Sequence, residues 1–129
     1  MQNISKFRVY YEDTDSGGVV YYANYLRFAE RARTELLRSK GINQLELIKS
    51  QDILFVVKHA ELDLKFPARL DDLLEIHSKI ESISGASIKI YQQITCNSKN
   101  IADIKVLVVS VNSRFKPKKL PLNIVNIIR

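Results

Sequence analysis

One stretch of this chain, and only one, carries a long helical period. Between Asn24 and Gly41 the apolar residues Tyr25, Leu26, Phe28, Ala29, Ala32, Leu36 and Leu37 recur at a spacing that gathers them on one wide helix face. Asn24 is a residue type that caps helix starts, and Gly41 one that ends helices in the left-handed conformation. At about 1.5 Å per residue such a helix is roughly 25 Å long. Arg31–Glu35 and Glu30–Arg33 are expected as surface pairs. Asn43–Ser50 is expected to add a turn or two of helix, and the basic, then apolar tail Lys116–Arg129 a short closing helix. The rest alternates at period two. Lys6–Glu12 puts Phe7, Val9 and Tyr11 on one face. In the run from Leu54 to Phe66, Leu54, Val56, Ala60, Leu62 and Leu64 share one face, and Phe55, Val57, His59, Glu61 and Asp63 the other. Leu74–Ile83, Ala86–Cys96 and Ile101–Phe115 follow, separated by the turn-like breaks PARLDD, SISGAS and NSKN. One long helix against about five antiparallel strands is an α+β design. A single helix cannot cover both faces of such a sheet. The uncovered face reads as rich in β-branched residues, so a partner subunit and a homo-oligomer are expected.

The bulk numbers exclude several classes. A chain of 129 residues, 46% apolar and 26% charged, is expected to form one domain over 1–129 with a real core. No apolar run approaches the roughly 20 residues of a membrane span. Met1–Phe7 lacks the pattern of a leader, so no signal peptide is expected. The lone Cys96 permits no internal disulfide, suits a reducing cytoplasm, and reads as a buried small hydrophobe. The net charge of +6 favours an anionic partner: nucleic acid, a phosphorylated cofactor or an acidic protein. Nucleic acid is disfavoured, because the aromatics gather in Tyr10–Phe28 and the bases near the C-terminus. His59 and His77 stand in no metal-ligand spacing with Cys96, so no metal is expected. The glycine-rich nucleotide motifs and the serine-hydrolase elbow are missing.

Residues 11–25, YEDTDSGGVVYYANY, hold the candidate chemistry. Gly17 and Gly18 free the backbone for close approach or positive φ. The first N–H groups of the following helix have no internal partner and can serve a developing oxyanion. A carboxylate at Asp15, directly before them, can attack a carbonyl or activate water. The same composition also suits a plain turn in which Asp13 and Asp15 bond local backbone. RFKPKK, with Arg114, Lys116, Lys118 and Lys119, is either a phosphate-binding cluster or a solvated strand end.

The stretch RVYYEDTDSGGVVYYANYLRFAERARTELL, continued by VVKHAELDLKFPARLDDLLEI, resembles the 4-hydroxybenzoyl-CoA thioesterase family, in particular its YbgC branch of Tol-Pal-associated acyl-CoA thioesterases. The resemblance implies a hotdog fold, a long helix wrapped by a curved antiparallel sheet. It implies homodimers or homotetramers with active sites at the dimer interface, and an acyl-CoA substrate, so that CoA enters as substrate and no separate cofactor is needed. It places the catalytic carboxylate at Asp15, ahead of Gly18, and the helix-start amide that polarises the thioester at Tyr22. It places the cleft-lining strand of the partner at Val57, Lys58 and His59. Arg114 and Lys116 become candidates for the CoA phosphates. Position 22 departs from the YbgC branch, which usually has histidine there; the hydroxybenzoyl branch has an aromatic residue. Two other readings stand beside the thioesterase. One is a non-catalytic module that holds CoA or an acyl carrier protein, whose acidity would suit the charge. The other is a dehydratase or hydratase acting on acyl thioesters, which usually wants a His–acid pair.

Overall fold

The computed structural model describes residues 3–129. The chain runs β1 (Asn3–Arg8), a single 3-10 turn (Tyr11–Asp13), α1 (Asn24–Ser39), α2 (Gln44–Gln51), β2 (Leu54–Leu64), β3 (Leu73–Ser84), β4 (Ser87–Cys96), β5 (Lys99–Val111) and α3 (Leu122–Ile128). The strands form one five-stranded sheet in the order β1-β3-β4-β5-β2, with every neighbouring pair antiparallel. This is the α+β arrangement expected, with α1 lying on one face. Residues 1 and 2, part of the segment read for a leader, lie outside the described residues.

The alternation of each strand decides the layering. Ile88, Ile90, Gln92 and Ile94 of β4 and Ala102, Ile104, Val106 and Val108 of β5 point to the helix side and are buried. Tyr25, Phe28, Ala29, Ala32 and Leu36 of α1 close the core from above. Leu26, counted on the apolar face, is 37% exposed. Gly41 sits at φ +80 and Ile42 N–H returns to the Leu37 carbonyl, so the glycine ends the helix as its freedom allows. Asn43 caps α2 by accepting the Glu46 N–H.

Several expectations fail for identifiable reasons. β1 stops at Arg8, because the chain turns at Tyr11 to bury the Asp13 carboxylate; Tyr11 is 83% exposed rather than core-facing. In β2 a bulge at Lys58, between Val57 and His59, resets the alternation. Val57 therefore joins Ala60 on the helix side, paired with Val108 and Val106, while His59 and Glu61 face outward. β5 ends at Val111, so Arg114 and Lys116 sit in a turn, not in a strand. Neither expected helix pair forms: Glu35 pairs with Arg38 at 3.1 Å, Glu30 accepts from Thr34, and Arg33 turns inward. Cys96 ends β4 half-buried, where desolvation pushes its thiol up.

The uncovered face of the sheet is largely polar, with Ile4, Val56, Leu107 and Val109 as apolar members. It carries Glu75, His77 and Lys79 of β3, Lys89, Tyr91 and Gln93 of β4, and Asp103 and Lys105 of β5. Tyr91 donates to Asp103 at 2.8 Å, and desolvation together with that carboxylate pushes its phenol up to about 12. The packing argument for a partner on this face is thus withdrawn.

Asn24 is not the helix cap. That position falls to Ala23, in helical conformation and with no side-chain bond. Asn24 is buried, and its Nδ2 donates to Asp13 Oδ1 at 2.9 Å. Asn24→Ala is expected to lower stability by about 1.5–3 kcal/mol, the range for a hydrogen bond to a charged group. Asn24→Asp should cost at least as much, because it opposes two carboxylates. Urea denaturation at pH 7 checks both, and a capping role would instead leave Asn24→Asp near wild type.

Candidate functional site

The site is built from Asp13 outward. The Asp13 carboxylate, 6% exposed, accepts the Tyr10 N–H at 2.8 Å on Oδ2 and the Asn24 amide on Oδ1. Its carbonyl accepts the Tyr21 N–H at 2.9 Å. One residue thus ties the exit of β1 to the entry of α1. Between those ties the chain makes a tight reversal: Asp15 N–H donates to Val19 O at 2.9 Å and Gly18 N–H to Asp15 O at 3.0 Å. Gly18 stands at φ +79, the positive φ that its position requires. The reversal is anchored outside by Val20 N–H on Ala68 O at 2.8 Å and by pairing of Val19 with Arg69.

Asp15 is exposed at the tip. Its Oδ1 accepts the Gly17 N–H at 2.8 Å, and among the described residues its Oδ2 has no partner. The local-turn reading is thus half right, since one oxygen is used and one is left over. At the helix start, Asn24 N–H reaches Tyr21 O, whereas the N–H groups of Tyr22 and Ala23 have no acceptor among the described residues. The Tyr22 side chain is 58% exposed, its ring 4.9 Å from that of Tyr21. An exposed carboxylate and two free amides in one short segment can serve as nucleophile or base and as oxyanion donors.

A groove runs along α1, lined by none of residues 11–25. Two adjoining cavities of about 480 and 470 Å³ share Glu30, Arg33 and Val57. The first opens beside Leu26, Arg27 and Ala60; the second reaches Leu37, Phe55, Ile80 and Ile88. Arg33 NH1 donates to Gln92 Oε1 at 3.0 Å, and Gln92 Nε2 to Ala29 O and Ser78 Oγ. Burial pulls the Arg33 guanidinium below its usual range, partly offset by Glu30. The sequence reading missed Glu30 and Arg33 as lining residues, and Gln92 as the buried hub. The signal for Gln92 was present: it is the one polar residue in the inward series Ile88, Ile90, Gln92, Ile94. Tyr25 and Phe28 are core, at 2% and 1% exposed, as the residue reading favoured.

The other candidates are distributed. Val57 lines the groove, Lys58 is the exposed bulge on the free edge of β2, and His59 pairs outward with Glu61 at 3.4 Å. Arg114 and Lys116 lie beyond the start of β2, where Leu54 pairs with Val111 and the Ser113 N–H donates to Asp52. Asp15 lies beyond the other end, in the reversal that Val19 and Val20 anchor to Arg69 and Ala68. β2 has 11 residues, so the two sit ~35 Å apart along the strand at ~3.3 Å per residue. One chain does not bring them together.

The family model of the thioesterase-like superfamily matches residues 9–126. The chain belongs to the thioesterase-like superfamily. Among relatives, the acyl-CoA thioester hydrolase YbgC of Escherichia coli O6:H1 is 47% identical over 121 residues, 92% of this chain and 89% of that one. Among solved structures, the "Probable Thioesterase from Bartonella henselae" superposes with a TM-score of 0.91 at 37% identity, covering 94% of this chain and 100% of that one. A 4-hydroxybenzoyl-CoA thioesterase, crystallised with 4-hydroxybenzoyl-CoA, superposes with a TM-score of 0.93 over 99% of both chains. At 15% identity it shows the shared hotdog fold alone. The family and fold implied by the Arg8–Leu37 stretch therefore hold.

The superfamily's turn before α1 is testable in this chain by itself. A Cβ at Gly18 would meet nothing within 4 Å, so only its φ resists substitution. Gly18→Ala is expected to cost about 1–2 kcal/mol in thermal or urea denaturation. A value near zero would mean the turn adopts another conformation.

Proposed function

We propose that this chain hydrolyses acyl-CoA thioesters to free acid and CoA, with residues 1–129 acting as one catalytic domain. The observation that carries the reading is the free Asp15 oxygen in the same short segment as the unpaired Tyr22 and Ala23 amides. It stands in a chain 47% identical to an acyl-CoA thioester hydrolase across 92% of its length. In this mechanism the thioester carbonyl accepts from the Tyr22 and Ala23 N–H groups. Asp15 either attacks the carbonyl carbon, displacing the CoA thiolate to give a mixed anhydride that water then hydrolyses to the free acid, or takes the proton of a water that attacks that carbon directly. Charge that develops on the oxygen meets fixed amide dipoles, a kind of contact worth about 3–4 kcal/mol per donor in other acyl-transfer sites. The thiolate of CoA leaves. The backbone supplies the donors, so tyrosine in place of histidine at 22 leaves them intact.

Asp15→Asn keeps the shape of the turn and removes charge and basicity. Thiol release from a panel of acyl-CoA substrates is expected to fall by two or more orders of magnitude, with the melting temperature little changed. Equal rates would take Asp15 out of the mechanism. Binding of CoA by wild type without thiol release on any substrate would favour the scaffold reading.

The separation of Asp15 from Arg114 and Lys116 supports a site shared between two chains. β2 is a free sheet edge. Two copies paired antiparallel along β2 about a two-fold axis bring the start of one β2 beside the end of the other. Asp15 of one protomer then approaches the basic turn of its partner, and a homodimer, alone or within a tetramer, carries two composite sites. Complementation tests this directly. Asp15→Asn and the double variant Arg114→Glu, Lys116→Glu should each be impaired. When the two are unfolded and refolded together, mixed dimers regain one intact site and activity returns. If activity does not return although mixed dimers form, the site lies within one chain. No helix among the described residues is long and apolar enough to cross a membrane. A free Cys96 thiol suits a cytoplasmic enzyme.

A further inference from the structure

Phe115 stands out in the turn that follows β5. It is 69% exposed, and its backbone is left-handed, at φ +59, a conformation that a bulky aromatic rarely holds. The turn enforces it. Asn112 Oδ1 accepts the N–H groups of both Arg114 and Lys116, at 2.9 and 3.1 Å. Asn112 N–H donates to Lys116 O, Phe115 N–H donates to Asn112 O, and Val111 pairs with Pro117. The base is fastened to the body by Ser113 on Asp52 and by Lys118 Nζ on the Gln51 carbonyl. A strained, exposed aromatic held in a fixed turn, between Arg114 and Lys116 in sequence, is not there for the core. Strain of this kind, over-determined by its surroundings, collects at ligand clamps.

We infer that Phe115 is a stacking platform for the adenine ring of CoA, with Arg114 and Lys116 on its phosphates. This rests on the acyl-CoA reading above. The chemistry is specific: every purine offers a π-face, and the flanking cations fit the phosphates on the same nucleotide. It also discriminates between thioester carriers. An acyl carrier protein presents its acyl group on phosphopantetheine, which has no adenine, and would leave Phe115 without an occupant.

The test separates this inference from the hydrolytic one. Adenosine 3′,5′-bisphosphate, the nucleotide end of CoA, is titrated calorimetrically into wild type, Phe115→Ala, Phe115→Trp and Phe115→Gly. The alanine and glycine variants are expected to lose roughly tenfold in affinity or more, and tryptophan to retain it. Glycine relieves the strained φ, so Phe115→Gly should melt at or above the wild-type temperature; weaker binding cannot then be put down to unfolding. In steady-state hydrolysis, Phe115→Ala should raise KM for an acyl-CoA about tenfold more than for the same acyl group on pantetheine. Equal nucleotide affinity in all four proteins, or KM rising alike on both substrates, overturns the inference. Nucleotide binding that depends on Phe115 in a protein that hydrolyses nothing would support it and sink the thioesterase reading instead.

Discussion

The candidate site of this molecule hangs on a buried carboxylate. Asp13 binds the Tyr10 N–H, the Asn24 side chain and, through its carbonyl, the Tyr21 N–H. An ionised group in a buried position is tolerated only when its oxygens are satisfied. Meeting that demand forces β1 to end early, α1 to begin where it does, and the intervening residues to fold back as a tight reversal. Both sides of the reversal that carries Asp15 and the free amides of Tyr22 and Ala23 are thus tied to the same residue. The two acids of the segment divide the work by environment: Asp13 is enclosed and saturated, Asp15 is exposed and half free.

What was legible in the sequence follows from which forces act locally. The period of α1, its glycine stop at Gly41, the short α2 and closing α3, and most strand alternations come from residue-by-residue burial, and these were readable. Asn24 was placed at the helix start but given the wrong task. An asparagine that caps and one that pins a remote carboxylate look alike until the partner is known. The Lys58 bulge was invisible for a related reason. A single extra residue leaves composition unchanged yet turns half a strand over, so Val57, read on the face of His59, points to the helix. The largely polar outer face could have been found: Lys79, Tyr91 and Lys105 are out of phase with the apolar series and lie in cross-strand register.

The candidate site was legible only where it is local. Asp15, Gly18 and Tyr22 share one segment, and the motif alone brought them together. Arg114 and Lys116 were chosen by charge, and charge says nothing about which end of the sheet a turn occupies. That depends on the order β1-β3-β4-β5-β2, which no pattern of alternation encodes. The argument for a partner was likewise sound in form but aimed at the wrong surface. The exposed apolar groups nearest the groove are Leu26 and Val57, beside the free edge of β2 and not on the open face.

That edge is also selective. A flat, apolar edge strand would accept any other strand. β2 instead breaks its ladder at Lys58 and carries the His59–Glu61 pair outward, features that discourage indiscriminate pairing. A second copy of the same strand, antiparallel about a two-fold axis, presents the same bulge and the same charges in reverse order. The geometry of the substrate sets a requirement of its own. If the Asp15 carboxylate and the basic turn at Arg114–Lys116 serve one thioester, no rearrangement within a chain joins the two ends of an 11-residue strand. Pairing of the edge with itself does so without moving either group. The reaction would then need the dimer for a reason of distance.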